Sequence, residues 1–143
     1  MNLLFMCVAN SARSQLAEGL ARKLFGPNVT VESAGSKPGK LNPLAVKALE
    51  EIGIDISTHY SKSCDDLNPA FVGSLDYVIT LCAEEVCPIV VSPAKKLHWA
   101  LPDPAGKTGS EPEQLLRFQN TREALIARLQ TFAVENGLPL NEI

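Results

Sequence analysis

The run Leu3-Leu4-Phe5-Met6-Cys7-Val8-Ala9-Asn10-Ser11-Ala12-Arg13-Ser14 decides the fold. A short apolar stretch breaks into a polar turn, and from Ser14 apolar residues recur at helical spacing through Leu16, Ala17, Leu20 and Leu24. The pattern predicts a strand, a loop and a helix in direct succession. Gly26-Pro27-Asn28 stops that helix, and Val29-Thr30-Val31 opens a second short strand leading into Ser33-Ala34-Gly35. Beyond a Gly- and Pro-containing loop at 36–42, Pro43 suits a first helical turn. Leu44, Ala45, Ala48, Leu49 and Ile52 mark one face of that helix, which Gly53 closes.

Residues 57–68 are polar and without period, which predicts a loop, followed by a short helix at 69–72. Tyr77-Val78-Ile79-Thr80-Leu81 is the clearest strand and should lie near the sheet centre, because a strand covered on both faces is apolar throughout. Residues 95–99 form a weaker strand candidate. Ser110 and Glu113 have capping-box spacing, and Leu115, Phe118, Leu125, Leu129 and Phe132 then repeat along one long closing helix. Strands alternating with helices predict an α/β fold, an open four-stranded parallel sheet flanked by helices. Ligands of such sheets sit outside the carboxyl ends of the strands, here near Cys7, Ser33, Cys82 and the Asp103 turn.

The chain has 143 residues, 45% apolar and 20% charged, which predicts one domain over 1–143. A formal charge of -3 and the lack of a basic run exclude nucleic acid as an expected partner. The apolar opening is too short for a signal peptide, and no segment has the length of a membrane span. A cytoplasmic monomer is therefore expected. Cys7, Cys64, Cys82 and Cys87 are too few for a disulfide-stapled scaffold, and without a CxxC pair and with only two histidines a zinc site is poorly supported. Thiol chemistry is the better expectation, with no metal and no cofactor.

The loop after strand one has a task for each residue if an oxyanion binds there. The backbone N–H groups of Val8, Ala9, Asn10, Ser11, Ala12, Arg13 and Ser14 can ring a tetrahedral anion at the positive end of the helix. The same field favours the Cys7 thiolate. Arg13 offers a rigid fork of donors to two oxygens, Ser14 can donate to the Cys7 sulfur, and Asn10 tolerates left-handed backbone angles. Cys-x5-Arg alone is a weak signal; the preceding strand, the following helix and the serving Asn and Ser give it weight.

These residues resemble the low-molecular-weight phosphatase family, and the likeness is closer to its thioredoxin-coupled arsenate reductase branch. The family's Cys-x-x-Asn-x-x-Arg-Ser loop stands here as Cys7, Asn10, Arg13 and Ser14. The stretch from His98-Trp99 to Asp103-Pro104-Ala105-Gly106-Lys107 is similar to the reductases' run, and Gln15 follows Ser14 where phosphatases usually have Pro. The resemblance implies Cys7 as nucleophile, Arg13 as oxyanion clamp and Asp103 as general acid. It also implies a thiol cascade: Cys82 attacks the Cys7 sulfur and releases arsenite, and Cys87 then forms a Cys82–Cys87 disulfide. Thioredoxin, or glutaredoxin with glutathione, would reduce that bond. The 82–87 segment should be mobile and rearrange on oxidation.

Ala9 and Ala12 depart from common family residues without removing an essential group. Lys62 follows Ser61 where some reductases place a potassium-binding Asp. Its ammonium could stand in for the metal beside Glu18 and Ser33, so no potassium requirement is expected at that site. Plain readings suffice elsewhere: Cys64 as bystander, His59 and His98 as structural or surface groups, Glu84-Glu85 as a solvated turn, Asp65-Asp66 as solvent-facing carboxylates. Trp99 is expected beneath the Asp103 loop. The rival activities are a phosphotyrosine phosphatase using Cys7, Arg13 and Asp103, and a non-catalytic oxyanion-binding or thiol-sensing regulator.

Overall fold

A computed structural model of the chain describes residues 1–83, 90 and 92–143. Four strands, β1 (Asn2–Cys7), β2 (Thr30–Gly35), β3 (Tyr77–Thr80) and β4 (Lys95–His98), form one sheet in the order β2, β1, β3, β4. Every pairing is parallel. Four helices accompany them: α1 (Arg13–Phe25), α2 (Pro43–Glu50), α3 (Pro69–Gly73) and α4 (Glu111–Asn136). This is the α/β architecture expected from the alternation of periods. Among the described residues, no helix is long and apolar enough to cross a membrane.

Alternation along β1 sends its side chains to two separate cores. Leu3 and Phe5 join Val31, Ile79 and the apolar stripes of α1, α2 and α4 on one face. Leu4 and Met6 join Ala34, Val78, Leu67 and Leu75 on the other. The three longer helices thus share one face, while among the described residues α3 and nearby loops cover the second. Helix α1 is buried almost all round, and a Cβ on Gly19 would stand 2.7 Å from Leu49 Cδ1 and 2.8 Å from Ile56 Cγ2, so any larger residue there would require those side chains to shift.

The Pro43 start and the Ser110–Glu113 box are found as expected, whereas α2 ends at Glu50 with Glu51 as its cap, before the expected Gly53. Asn42 accepts from the Leu44 amide ahead of Pro43, the Ser110–Glu113 capping box opens α4, and left-handed Gly137 closes it. The stretch expected as featureless loop at 57–68 contains a 3-10 turn, Cys64–Asp66, capped by Ser63, and a parallel bridge from Ser63 to Gly35. The capping is a local Ser-x-x-Asp arrangement that hydrophobic periodicity does not register. Trp99, expected beneath the Asp103 loop, is buried and packs against Phe5 at 6.2 Å and Phe132 at 6.1 Å. Its preceding strand β4 brings it over that core.

Candidate active site

The loop between β1 and α1 is held by its carbonyls. Val8 O accepts from Lys37 N, Ala9 O from Gly39 N and Ser11 O from Asn42 N, each at 2.9 Å. Asn10 O accepts from Ser61 Oγ at 2.7 Å and Gln15 Nε2 at 3.2 Å. In a trans peptide the C=O and the following N–H point opposite ways. Fixing four successive carbonyls toward the flanking loops therefore turns the N–H groups of residues 9–12 to the other side, at the amino end of α1. This is the cup that an anion at the start of a helix requires.

Asn10 is the one described non-glycine residue with positive φ, at 50°. Its buried side chain organises the cup from behind. Nδ2 donates to Ser14 Oγ at 2.7 Å and Ser33 Oγ at 3.0 Å, while Oδ1 accepts from the Lys62 amide at 3.0 Å and Gln15 Nε2 at 3.1 Å. Ser14 Oγ lies 2.9 Å from Cys7 Sγ. Because that hydroxyl already accepts from Asn10, its own proton is available to a sulfur anion. Cys7 is a free thiol, 3% exposed.

Arg13 is 4% exposed, with Nη1 donating to the carbonyls of Leu101 at 2.9 Å and Leu81 at 3.4 Å. The ends of two further strands thereby fix the guanidinium. Its Nη2 stands 3.9 Å from Asp103 Oδ2, whose side chain is 43% exposed. The other Asp103 oxygen accepts from the Ala105 amide at 3.0 Å, which holds the carboxyl over its own turn. Cys82 follows Leu81 at the end of β3, 1% exposed and disulfide-bonded. Cys87 and Glu84-Glu85 lie outside the described residues.

A charged cluster backs the cup. Glu18 accepts from Ser33 Oγ at 2.7 Å, and Lys62 Nζ lies 3.5 Å from Glu18 Oε1 and 3.7 Å from Glu32 Oε2. Arg22 Nη2 reaches the same two carboxylates at 3.3 and 3.5 Å. Two cations thus each bridge two anions, with Lys62 beside Glu18 as its position in the sequence suggested. His59, expected as a structural or surface group, takes the structural place, its Nδ1 lying 3.1 Å from Gln15 Oε1 and 3.3 Å from Glu18 Oε2. Burial pushes its pKa down from the ordinary 6.5; Glu18 opposes the shift, and Arg22 and Lys62 add to it. Asp65 and Asp66 are exposed as expected, and His98 is exposed beside Thr80. Half-buried Cys64 meets Met6 Sδ at 3.4 Å, and burial followed by Asp65 raises its pKa.

Sequence reasoning missed Gln15 and Gly35. Gln15 is fully buried on α1 and ties Asn10 to the Tyr60 carbonyl. A Cβ on Gly35 would collide with Val8 O and stand 2.9 Å from Asn10 N. A polar side chain on the buried face of α1 and a glycine ending a strand were the available signals.

The model of the low molecular weight phosphotyrosine protein phosphatase family matches residues 2–139. The arsenate reductase of Bacillus licheniformis is 44% identical over 131 residues, 90% of this chain and 92% of that protein. A solved structure described as an arsenate reductase in the phosphate binding state superposes with a TM-score of 0.76 at 29% identity, over 94% of this chain and 97% of the other. The thioredoxin-dependent arsenate reductase of Corynebacterium glutamicum gives 0.70 at 31% identity, over 94% of this chain and 60% of that one. With its cup, clamp and late aspartate in one place, the chain belongs to the low molecular weight phosphotyrosine protein phosphatase family, in the branch that holds these arsenate reductases.

Proposed function

We propose that this protein reduces arsenate to arsenite in the cytoplasm, as a single-domain monomer, through thiols of its own. The observation that carries the reading is the Cys7 sulfur 2.9 Å from a Ser14 hydroxyl that Asn10 has already engaged. Arsenate binds in the N–H cup of residues 8–14, and Arg13 takes two of its oxygens. The Cys7 thiolate displaces one oxygen, which leaves as water with a proton from Asp103. The Cys82 thiolate then attacks the Cys7 sulfur. The sulfur–arsenic bond breaks, its electron pair stays on arsenic, and arsenite departs from a Cys7–Cys82 disulfide. Attack by Cys87 on Cys82 frees Cys7 and leaves a Cys82–Cys87 disulfide, which an external dithiol reduces.

Support for this reading over phosphotyrosine hydrolysis comes from sulfur chemistry. Hydrolysis needs only Cys7, Arg13, Asp103 and water, whereas reduction needs further thiols, and the chain carries Cys82 just after the β3 strand and Cys87 five residues on. The relatives named above are arsenate reductases, one of them thioredoxin-dependent, and thioredoxin is the donor we assign. The test is arsenate-dependent NADPH oxidation with thioredoxin and thioredoxin reductase, run beside glutathione, glutaredoxin and glutathione reductase. Turnover with the thioredoxin system is expected. Turnover only with glutaredoxin would reassign the donor, and hydrolysis of phosphotyrosine with no arsenite in either system would overturn the reading.

A further inference from the structure

Gln15 lies fully buried in the first turn of α1, with both ends of its amide engaged. Oε1 faces His59 Nδ1 at 3.1 Å. Nε2 donates to Tyr60 O at 3.0 Å and to both oxygens of Asn10, Oδ1 at 3.1 Å and O at 3.2 Å. Three acceptors around one end and a ring nitrogen at the other permit the amide a single orientation. His59 Nδ1 therefore holds its proton toward Oε1, since its other neighbour, Glu18 Oε2 at 3.3 Å, is also an acceptor.

The two oxygens of Asn10 have separate consequences for the cup. Asn10 O, held outward, turns the Ser11 N–H inward across the same trans peptide. Oδ1, held away from the sulfur, leaves Nδ2 to Ser14 Oγ and the Ser14 proton to Cys7. Ser61 Oγ answers the first oxygen and the Lys62 amide the second, but among the described residues Gln15 is the one that donates to both. Ser61 and Lys62 themselves stand on the loop that Gln15 grips through His59 and Tyr60. Loss of its amide removes the direct bonds and loosens the loop that supplies the other two donors.

We infer that Gln15 is a positioning residue for oxyanion binding: without touching the anion, its amide holds Asn10 so that the Ser11 N–H faces the ligand and the Ser14 proton faces the Cys7 sulfur. The inference rests on the cup being the arsenate site, as proposed above.

The test is phosphate affinity of the full chain, read from amide NMR shifts at residues 8–14 between about pH 5.5 and 8.5, the span in which a buried carboxyl titrates. Gln15→Met keeps the length of the side chain without its donors and should bind phosphate about tenfold more weakly than the unaltered chain at every pH, the size of one lost hydrogen bond. Gln15→Glu should match that loss at the alkaline end, where its carboxylate faces three acceptors. At the acid end a protonated carboxyl can donate to Asn10, and the affinity should return to within about twofold of the unaltered chain. Glu18 and Arg22 on α1, Glu32 on β2, and Asp55, His59 and Lys62 on the loop after α2 are common to all three proteins, so each ratio is taken at one pH to cancel their titration. A residue that only fills the core would lower the melting temperature and leave the affinity of the folded chain intact. That result, a pH-independent ratio for Gln15→Glu, or no phosphate shifts at residues 8–14 in the unaltered chain would each overturn the inference. Failure of arsenate reduction with the phosphate results as expected would instead remove the reductase reading and leave the role of Gln15 in the cup standing.

Discussion

Lys62 shows how one side chain can settle local electrostatics. Its ammonium and the Arg22 guanidinium lie between Glu18 and Glu32, and Glu18 reaches the nucleophile's partners through Ser33 and Asn10. Removing it leaves two carboxylates with one cation, a vacancy that a monovalent ion can fill. The wild-type reduction rate should be indifferent to exchanging potassium for tetramethylammonium, whereas Lys62→Ala should lose rate and recover part of it in potassium. Equal potassium stimulation of both proteins would count against this role. His59, in the same cluster, has a depressed pKa in the folded chain. As pH falls through 6.5 the unfolded chain takes up a proton that the folded chain resists, so stability falls on acidification. His59→Gln should flatten that decline below pH 6.5 in urea melts across a pH series.

At the level of elements, the close approach of β2 to the β1–α1 loop governs the cup. Gly35 ends β2 against the backbone of Val8 and Asn10, and its amide donates to Lys62 O at 2.9 Å. Backbone cannot swing aside as a flexible side chain can. Gly35→Ala should cost about 1–3 kcal/mol, the range for overpacking, and should weaken phosphate binding as the loop is pushed outward. Unchanged phosphate affinity in that variant would show that the cup does not depend on this contact. The strand itself was legible from Val29-Thr30-Val31 and Ser33-Ala34-Gly35. What it presses against was not, because the contact joins residues far apart in the chain.

For the molecule as a whole, the parallel sheet places Cys7, the Leu81 carbonyl and the turn after β4 at one edge, where Arg13 ties the last two together. The proposed cascade uses this convergence and passes oxidation from Cys7 outward. Cys87→Ser should therefore release about one arsenite per enzyme and then stall with thioredoxin, the intact mass retaining a Cys7–Cys82 bond. Unimpaired multiple turnover would remove Cys87 from the path. The helices divide unevenly, three longer ones on the Phe5 face and short α3 on the Met6 face. Alternating strands and helices did not predict that division, since period reports that a face is buried without saying which helix covers it.

The sequence by itself determined the order of strands and helices, the Cys7-to-Ser14 loop and the left-handed tolerance at Asn10. Each depends on neighbouring residues, through side-chain period, turn chemistry and backbone sterics. Only the tertiary structure decided that Gln15 and His59 join the buried cluster and that Trp99 packs on Phe5 and Phe132. These outcomes depend on which polar groups are brought together away from water, and that is set by the path of the chain through space.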